Sequence, residues 1–411
     1  LIIGETQFTL PKMLQKAGYT TAAIGKWHLG MGMGNNNWNE LVKPGAREIG
    51  FDYSNLIAAT NDRTPTVYVE NGRVVGLDPS DPIEVSYSVN FEGEPTGISH
   101  PHLLKLHPSK NQGHNHSIHN GISRIGYQKG GKSALWTDEN MADYFTELAR
   151  DFIDDNAERP FFLYFGLHQP HVPRTPHARF VGRSGMGARG DAILEADWSV
   201  GELIDHLDRR GLLENTLIIF SSDNGPVLDD GYQDEAVEKL GNHTPAGGLR
   251  GGKYSLFEAG TRVPFFVYWK GKTRPTVSDA IVAQLDLMGT LAALVKQPLP
   301  GGLDTKDYLK VWLGKSKKGR KELILEAQGR LALRSGDWVY LPPYAGQVRN
   351  ITHNELGNLP SGGLFNVRQD PGQQMNLIER EPRRAAALKA RFTELTRDKQ
   401  VPETEVPETK E

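Results

Sequence analysis

Apolar residues recur at helical spacing in three stretches of the chain, and a short, densely apolar run follows each. Leu10, Met13, Leu14 and Ala17 share one helix face, which Thr9 can cap and Gly18 can stop; TTAAIG then reads as a buried strand. Met141, Tyr144, Phe145, Leu148, Phe152 and Ile153 line a second helix opening at Asp138, Arg159-Pro160 breaks it, and PFFLYF follows as a strand. In the third unit Ile193, Ala196, Val200, Leu203, Ile204 and Leu207 form the stripe, Gly211 ends the helix, and TLIIFSS is the strand. RVPFFVYW, residues 262–269, supplies a fourth strand. TVYVENGRVVG, residues 66–76, reads as a hairpin turning at Asn71-Gly72.

This alternation predicts an α/β fold, with the four strands in a mostly parallel central sheet sandwiched by helices. Polar groups just past the C-terminal ends of such strands gather along one edge, where ligands bind. Three strand ends carry suitable chemistry: Lys26 and His28 after the first, His168 and His171 after the second, Asp223-Asn224 after the third. Lys253 closes the glycine-rich GGLRGGK just before the fourth strand, where glycines let backbone approach a ligand.

Composition narrows the chemistry. With 47 basic and 50 acidic residues, a net charge of -3, the chain offers no global field for nucleic acid or anionic lipid, so any anion site is local. It has no cysteine, which excludes disulfides, thiolate metal sites and a cysteine nucleophile in the chain as written. No apolar run reaches the roughly 18 residues of a membrane span, and oligomeric state is not legible. Asp beside Asn offers hard oxygen ligands suited to calcium or magnesium, and lysines with histidines suit a compact polyanion such as sulfate or phosphate. Each residue alone also reads blandly: Lys26 and His28 as a solvated loop, Asp223-Asn224-Gly225 as a turn, Lys253 as a surface lysine. Their joint occurrence after successive strands favours a hydrolytic site for sulfuryl or phosphoryl esters.

At GYTTAAIGKWHLG, PFFLYFGLHQPHVP, SSDNG and GGLRGGKYSLFEAGTRVPFFVYW, in that order, the chain resembles the formylglycine-dependent sulfatases of the alkaline phosphatase superfamily. GRLALRSGDWVYL and LFNVRQDPGQQMNL are similar to that family's smaller C-terminal α+β subdomain, an antiparallel sheet with a closing helix. The resemblance implies catalytic roles for four residues: Lys26 on sulfate and nucleophile, His28 steering the nucleophile's hydroxyl, His171 on the ester and its leaving oxygen, and Lys253 on sulfate. It implies Asp223 and Asn224 as calcium ligands, a sulfated small molecule or glycan as substrate, and a periplasmic or extracellular location. His243 and Arg250 are candidate substrate-binding residues, while Glu258 reads as structural.

One departure is plain. The family's modified Cys or Ser lies in a C/S-x-P-S-R motif, with an early pair of metal-binding Asp residues, and this sequence has neither; His107-Pro108-Ser109-Lys110 is no substitute. The expectation is that residue 1 lies downstream of that nucleophile, with formylglycine encoded before it, and that these 411 residues alone turn nothing over. Two alternatives stay open: a phosphate or phosphonate ester hydrolase of the same superfamily, and a non-catalytic sulfoglycan binder. Composition sets the domains at 1–320 for the catalytic domain, 321–398 for the subdomain and 399–411 for a solvated tail, with Ala385, Leu388, Phe392 and Leu395 on one face of a terminal helix. The six histidines from His100 to His119 are expected on a long polar loop with exposed imidazoles; zinc is not expected there.

Overall fold

The computed structural model describes residues 1–397, so the tail expected at 399–411 lies outside the described residues. The chain divides into two compact units: Leu1–Thr216, Asp229–Gly241 and Leu285–Leu309 form the first, and Leu217–Leu228, Asn242–Gln284 and the chain from Lys310 onward form the second.

The first unit is built on a five-stranded sheet of β1 (Thr20–Lys26), β2 (Tyr53–Ile57), β3 (Tyr68–Glu70), β4 (Arg73–Val74) and β5 (Phe161–Gly166), in the order β4-β3-β2-β1-β5. β1 runs parallel to both β2 and β5, while β3 and β4 add an antiparallel edge. Side chains alternate across a strand. Accordingly Ala22 and Ile24 join the cluster of Met141, Phe145, Ala149 and Phe152 from helix α2 (Met141–Asp155), whereas Ala23 joins Trp27, Trp38, Phe51 and Leu56. Burial on both faces is why β1 is apolar throughout rather than alternating. Helix α1 (Leu10–Lys16) precedes β1 and is capped by the Thr9 hydroxyl, which accepts from the Lys12 N–H, as the sequence predicts. The hairpin at Asn71-Gly72 is present, both residues having positive φ (49° and 87°) as a tight two-residue turn requires. Helix α3 (Gly187–Arg209) ends where Gly211 was read as its stop.

In the second unit β6 (Ile218–Ser221) and β7 (Phe265–Tyr268) pair with each other, antiparallel, in a two-stranded sheet. The α/β class with a mostly parallel central sheet is as expected, but two of the four apolar runs pair with each other rather than within that sheet. An apolar run specifies that a strand will be covered, but it does not encode which strand lies beside it or in which direction. The C-terminal sheet is antiparallel as expected: β8 (Glu322–Ala327), β9 (Arg330–Ser335), β10 (Trp338–Leu341) and β11 (Gly363–Asn366) pair in sequence order over a core that includes Phe257, Ala332, Val339 and Phe365. Helix α4 (Pro382–Thr396) closes it, with Phe392 set edge-on to Tyr340 and Arg391 paired to Glu322 at 2.8 Å.

Candidate active site

Two neighbouring strands of the first unit end side by side. β1 and β5 are in register from Thr20↔Phe161 to Gly25↔Gly166, so the residues that follow them leave the sheet at one edge. Glycine is required at both last rungs. A Cβ on Gly25 would lie 2.1 Å from the Gly166 carbonyl oxygen, one on Gly166 would lie 2.5 Å from that of Lys26, and Gly25 has φ +109°. Trp27 then anchors the turn: it is buried, its N–H meets the Ile57 carbonyl at 3.2 Å, and its indole donates to Gly30 at 2.9 Å. The buried indole separates Lys26 from His28, which takes the left-handed conformation at φ 55°.

From β5 the chain passes through His168 and His171, the latter between two cis X-Pro bonds. The His171 N–H donates to the His168 carbonyl at 3.0 Å, and Nδ1 of His171 lies 2.8 Å from the Val172 carbonyl. A carbonyl only accepts, so Nδ1 carries the proton. Burial pushes His168 down to about 3, and the charges of Lys26 and His171 add to that shift against the opposing pull of Asp138. Lys26, His168 and His171 therefore share one electrostatic neighbourhood.

A fourth group belongs to this edge and was missed in the sequence. Asp62 follows β2, the other parallel neighbour of β1, and is buried. It accepts from the Thr60 hydroxyl and pairs with His114 Nε2 at 2.8 Å. Burial alone would push this carboxyl up, yet the His114 hydrogen bond and the charge of His171 hold it well below the usual carboxylate range. His114 is therefore not the exposed loop imidazole that was expected. It packs edge-on against Tyr232 at 4.9 Å, and Gly231 leaves room for its ring. Behind them Arg124 is fully buried, bonded to Asp138 at 2.7 Å and to the Asn61 carbonyl at 2.6 Å, which fixes the segment carrying Asp62. The available signal was an Asn-Asp-Arg triplet shortly beyond an apolar strand.

The second unit carries the remaining candidates on loops. Asp223 Oδ1 accepts the Asn224 N–H at 2.9 Å, and Asn224 Nδ2 donates to the Gly225 carbonyl at 2.9 Å, which leaves its Oδ1 as the acceptor end. Gly225 cannot be larger, since a Cβ there would fall 1.6 Å from the Ala259 carbonyl oxygen. The Lys253 N–H donates to Pro226 at 3.0 Å, and Asn354 Nδ2 reaches the carbonyls of both Pro226 and Lys253 at 3.2 Å. Thus Asp223, Asn224 and Lys253 sit on two loops tied together by backbone. Arg250 turns to Glu355 and to the Gln373 carbonyl, over the Phe257 ring. His243 is exposed and hydrogen-bonds to none of them. Glu258 is structural as read, buried and paired to Arg334 at 2.7 Å. Among the described residues no three His, Cys, Asp or Glu side chains gather as a metal group.

The Sulfatase family model matches residues 2–297. An N-acetylgalactosamine-6-O-sulfatase of Bacteroides thetaiotaomicron is 49% identical over 387 residues, covering 93% of this chain and 75% of the relative. Human arylsulfatase A is 28% identical over 395 residues, covering 90% of this chain and 67% of its own length. A solved sulfatase structure from work on glycosaminoglycan metabolism by B. thetaiotaomicron superposes with a TM-score of 0.94 at 47% identity, covering 97% of this chain and 83% of that one. The chain belongs to the sulfatase family of sulfuric ester hydrolases.

Proposed function

We propose that this chain serves in the hydrolysis of sulfate esters of a carbohydrate, by a formylglycine nucleophile that its own 411 residues do not contain, with 6-O-sulfated N-acetylgalactosamine as the substrate class. The observation that carries the reading is the pair of strand ends held in contact by Gly25 and Gly166, which sets Lys26 beside the His168–His171 turn. The 49% identity to a sulfatase acting on that sugar supports the choice of substrate.

Each residue has a duty its chemistry suits. Lys26 and Lys253 neutralise charge on the sulfate oxygens, and His28 steers the attacking hydroxyl. His171, with Nδ1 committed to Val172, uses Nε2 to protonate the departing sugar oxygen; the buried Asp62 carboxylate favours the imidazolium it needs. Asp223 and Asn224, one anionic oxygen donor and one neutral, fit a hard cation and would hold Ca2+. When bound, Ca2+ supplies positive charge to the sulfate, and formylglycine supplies the hydroxyl that attacks sulfur. His243 and Arg250 serve the sugar side. A periplasmic or extracellular location belongs to the same reading; among the described residues no helix is long and apolar enough to cross a membrane.

The test is sulfate release from 6-sulfated N-acetylgalactosamine by enzyme carrying formylglycine. Turnover, with Lys26→Ala slower by about 100-fold, is the expected result. Faster release of phosphate from the matched phosphate ester would replace this reading with the phosphohydrolase alternative. Tight binding without turnover would replace it with a sulfoglycan binder.

A further inference from the structure

Asp62 and His114 are both buried, and the carboxylate accepts from His114 Nε2 at 2.8 Å and from the Thr60 hydroxyl. The other ring nitrogen of His114, Nδ1, is buried without a hydrogen-bond partner. Charging the ring would bury an unsatisfied cationic N–H, which costs more than a bare lone pair. The imidazole is therefore the neutral tautomer with its proton on Nε2. In that form His114 orients the carboxylate and favours its ionised state without cancelling its charge.

The segment that carries His171 is built onto the same pair. Asn61 Nδ2, one residue before Asp62, donates to the Pro173 carbonyl at 3.2 Å. Val172, whose carbonyl accepts from His171 Nδ1, is fully buried against Ile122 and Tyr232. Tyr232 in turn lies edge-on to His114, and the Ser123 hydroxyl donates to the His114 carbonyl at 2.6 Å. The charge of His171 lowers Asp62, and by reciprocity the carboxylate favours the imidazolium of His171. The other charges around the pair do not replace it. Arg124 is committed to Asp138 at 2.7 Å, burial keeps the Tyr87 and Tyr232 phenols neutral, and His168 is uncharged above about 3. Arg63 follows Asp62 in the chain, and Lys26, like Arg63, opposes an imidazolium here.

We propose that His114 is a positioning residue for the acid of the reaction: through Asp62 it holds His171 in the imidazolium form that the departing sugar oxygen needs. The role given to His171 rests on the sulfatase reading above; the coupling of the three side chains does not.

The experiment follows the His171 ring by NMR titration of the 411-residue chain, its signals assigned by their loss in His171→Ala. Asp62→Asn is expected to lower the His171 midpoint by about one pH unit. His114→Leu is expected to do the same, because a buried carboxyl deprived of its donor takes up a proton, and His114→Gln, which supplies an amide donor, to restore part of the shift. A merely structural His114 would lower the thermal midpoint in both His114 variants and leave the His171 midpoint where it was. That outcome, or an unmoved midpoint in Asp62→Asn, overturns the proposal; where Asp62→Asn does not fold, the Leu and Gln variants decide it. In formylglycine-bearing enzyme the alkaline limb of kcat on a sugar 6-sulfate is expected to move to lower pH in His114→Leu with KM unchanged, and a limb that stays in place overturns the proposal as well. Absence of sulfate release from the wild type defeats the sulfatase reading instead, and the titration still decides the coupling.

Discussion

The two regions that carry the candidate residues are built by different means. At the edge of the parallel strands, Lys26 and His171 are placed by sheet register, and two glycines let the strand ends touch. Around Lys253 and Asp223-Asn224 the β6–β7 pairing ends at Ser221↔Phe265, and beyond it the Lys253 N–H to Pro226 bond and a single asparagine about a hundred residues away in sequence, Asn354, hold the loops. The first design is rigid because it is part of the core; the second depends on a few hydrogen bonds and is open to adjustment.

Experiments can sharpen or break this contrast. The largest effect is expected for His171→Ala, a loss of about 100- to 10,000-fold in kcat on a sugar sulfate with little change in stability; a rise in KM alone would remove His171 from the chemistry. Gly25→Ala comes next. Its Cβ meets the Gly166 carbonyl at 2.1 Å, so urea unfolding should show a loss of about 3 kcal/mol or more, accompanied by loss of activity. Full stability in this variant would mean that the strand ends do not touch.

A pH test separates the buried edge from the loops. Folding lowers His168 from 6.5 to about 3, so the unfolded chain takes up a proton that the folded one refuses as pH falls below about 6.5. Stability is therefore expected to be retained above that pH and to decline from there towards about 3, with Asp62 adding a further loss only below its ordinary value of 3.8. In His168→Gln the slope of the urea midpoint between pH 7 and pH 4 should flatten; an unchanged slope would contradict the assignment. The smallest effect is expected for Asn354→Ala, roughly 1 to 2 kcal/mol of stability, with KM raised more than kcat is lowered.

What could be read in the sequence follows the same division. The helix stripes, the β1 and β5 strands and the Asn71-Gly72 turn are local patterns, and each forms where the pattern put it. The residues after β1 and β5 were identifiable because an α/β sheet has one functional edge. Pairing is not local, and the antiparallel partnership of Ile218–Ser221 with Phe265–Tyr268 was accordingly invisible. Nor could a histidine-rich loop reveal that His114 turns inward to Asp62, 52 positions away. Lys253, Asp223 and Asn224 were singled out by their places in GGLRGGK and after the third strand, but nothing in their own neighbourhood announces Asn354 as the residue that bridges the Pro226 and Lys253 carbonyls.

The central claim is that the strand edge delivers a proton through His171 to the leaving oxygen. It is tested most directly by comparing His171→Ala with wild type on a sugar 6-sulfate and on an aryl sulfate whose phenolate leaves without protonation. The account predicts a kcat loss of at least about 100-fold on the sugar and less than about tenfold on the aryl ester. Equal losses on both substrates would contradict it.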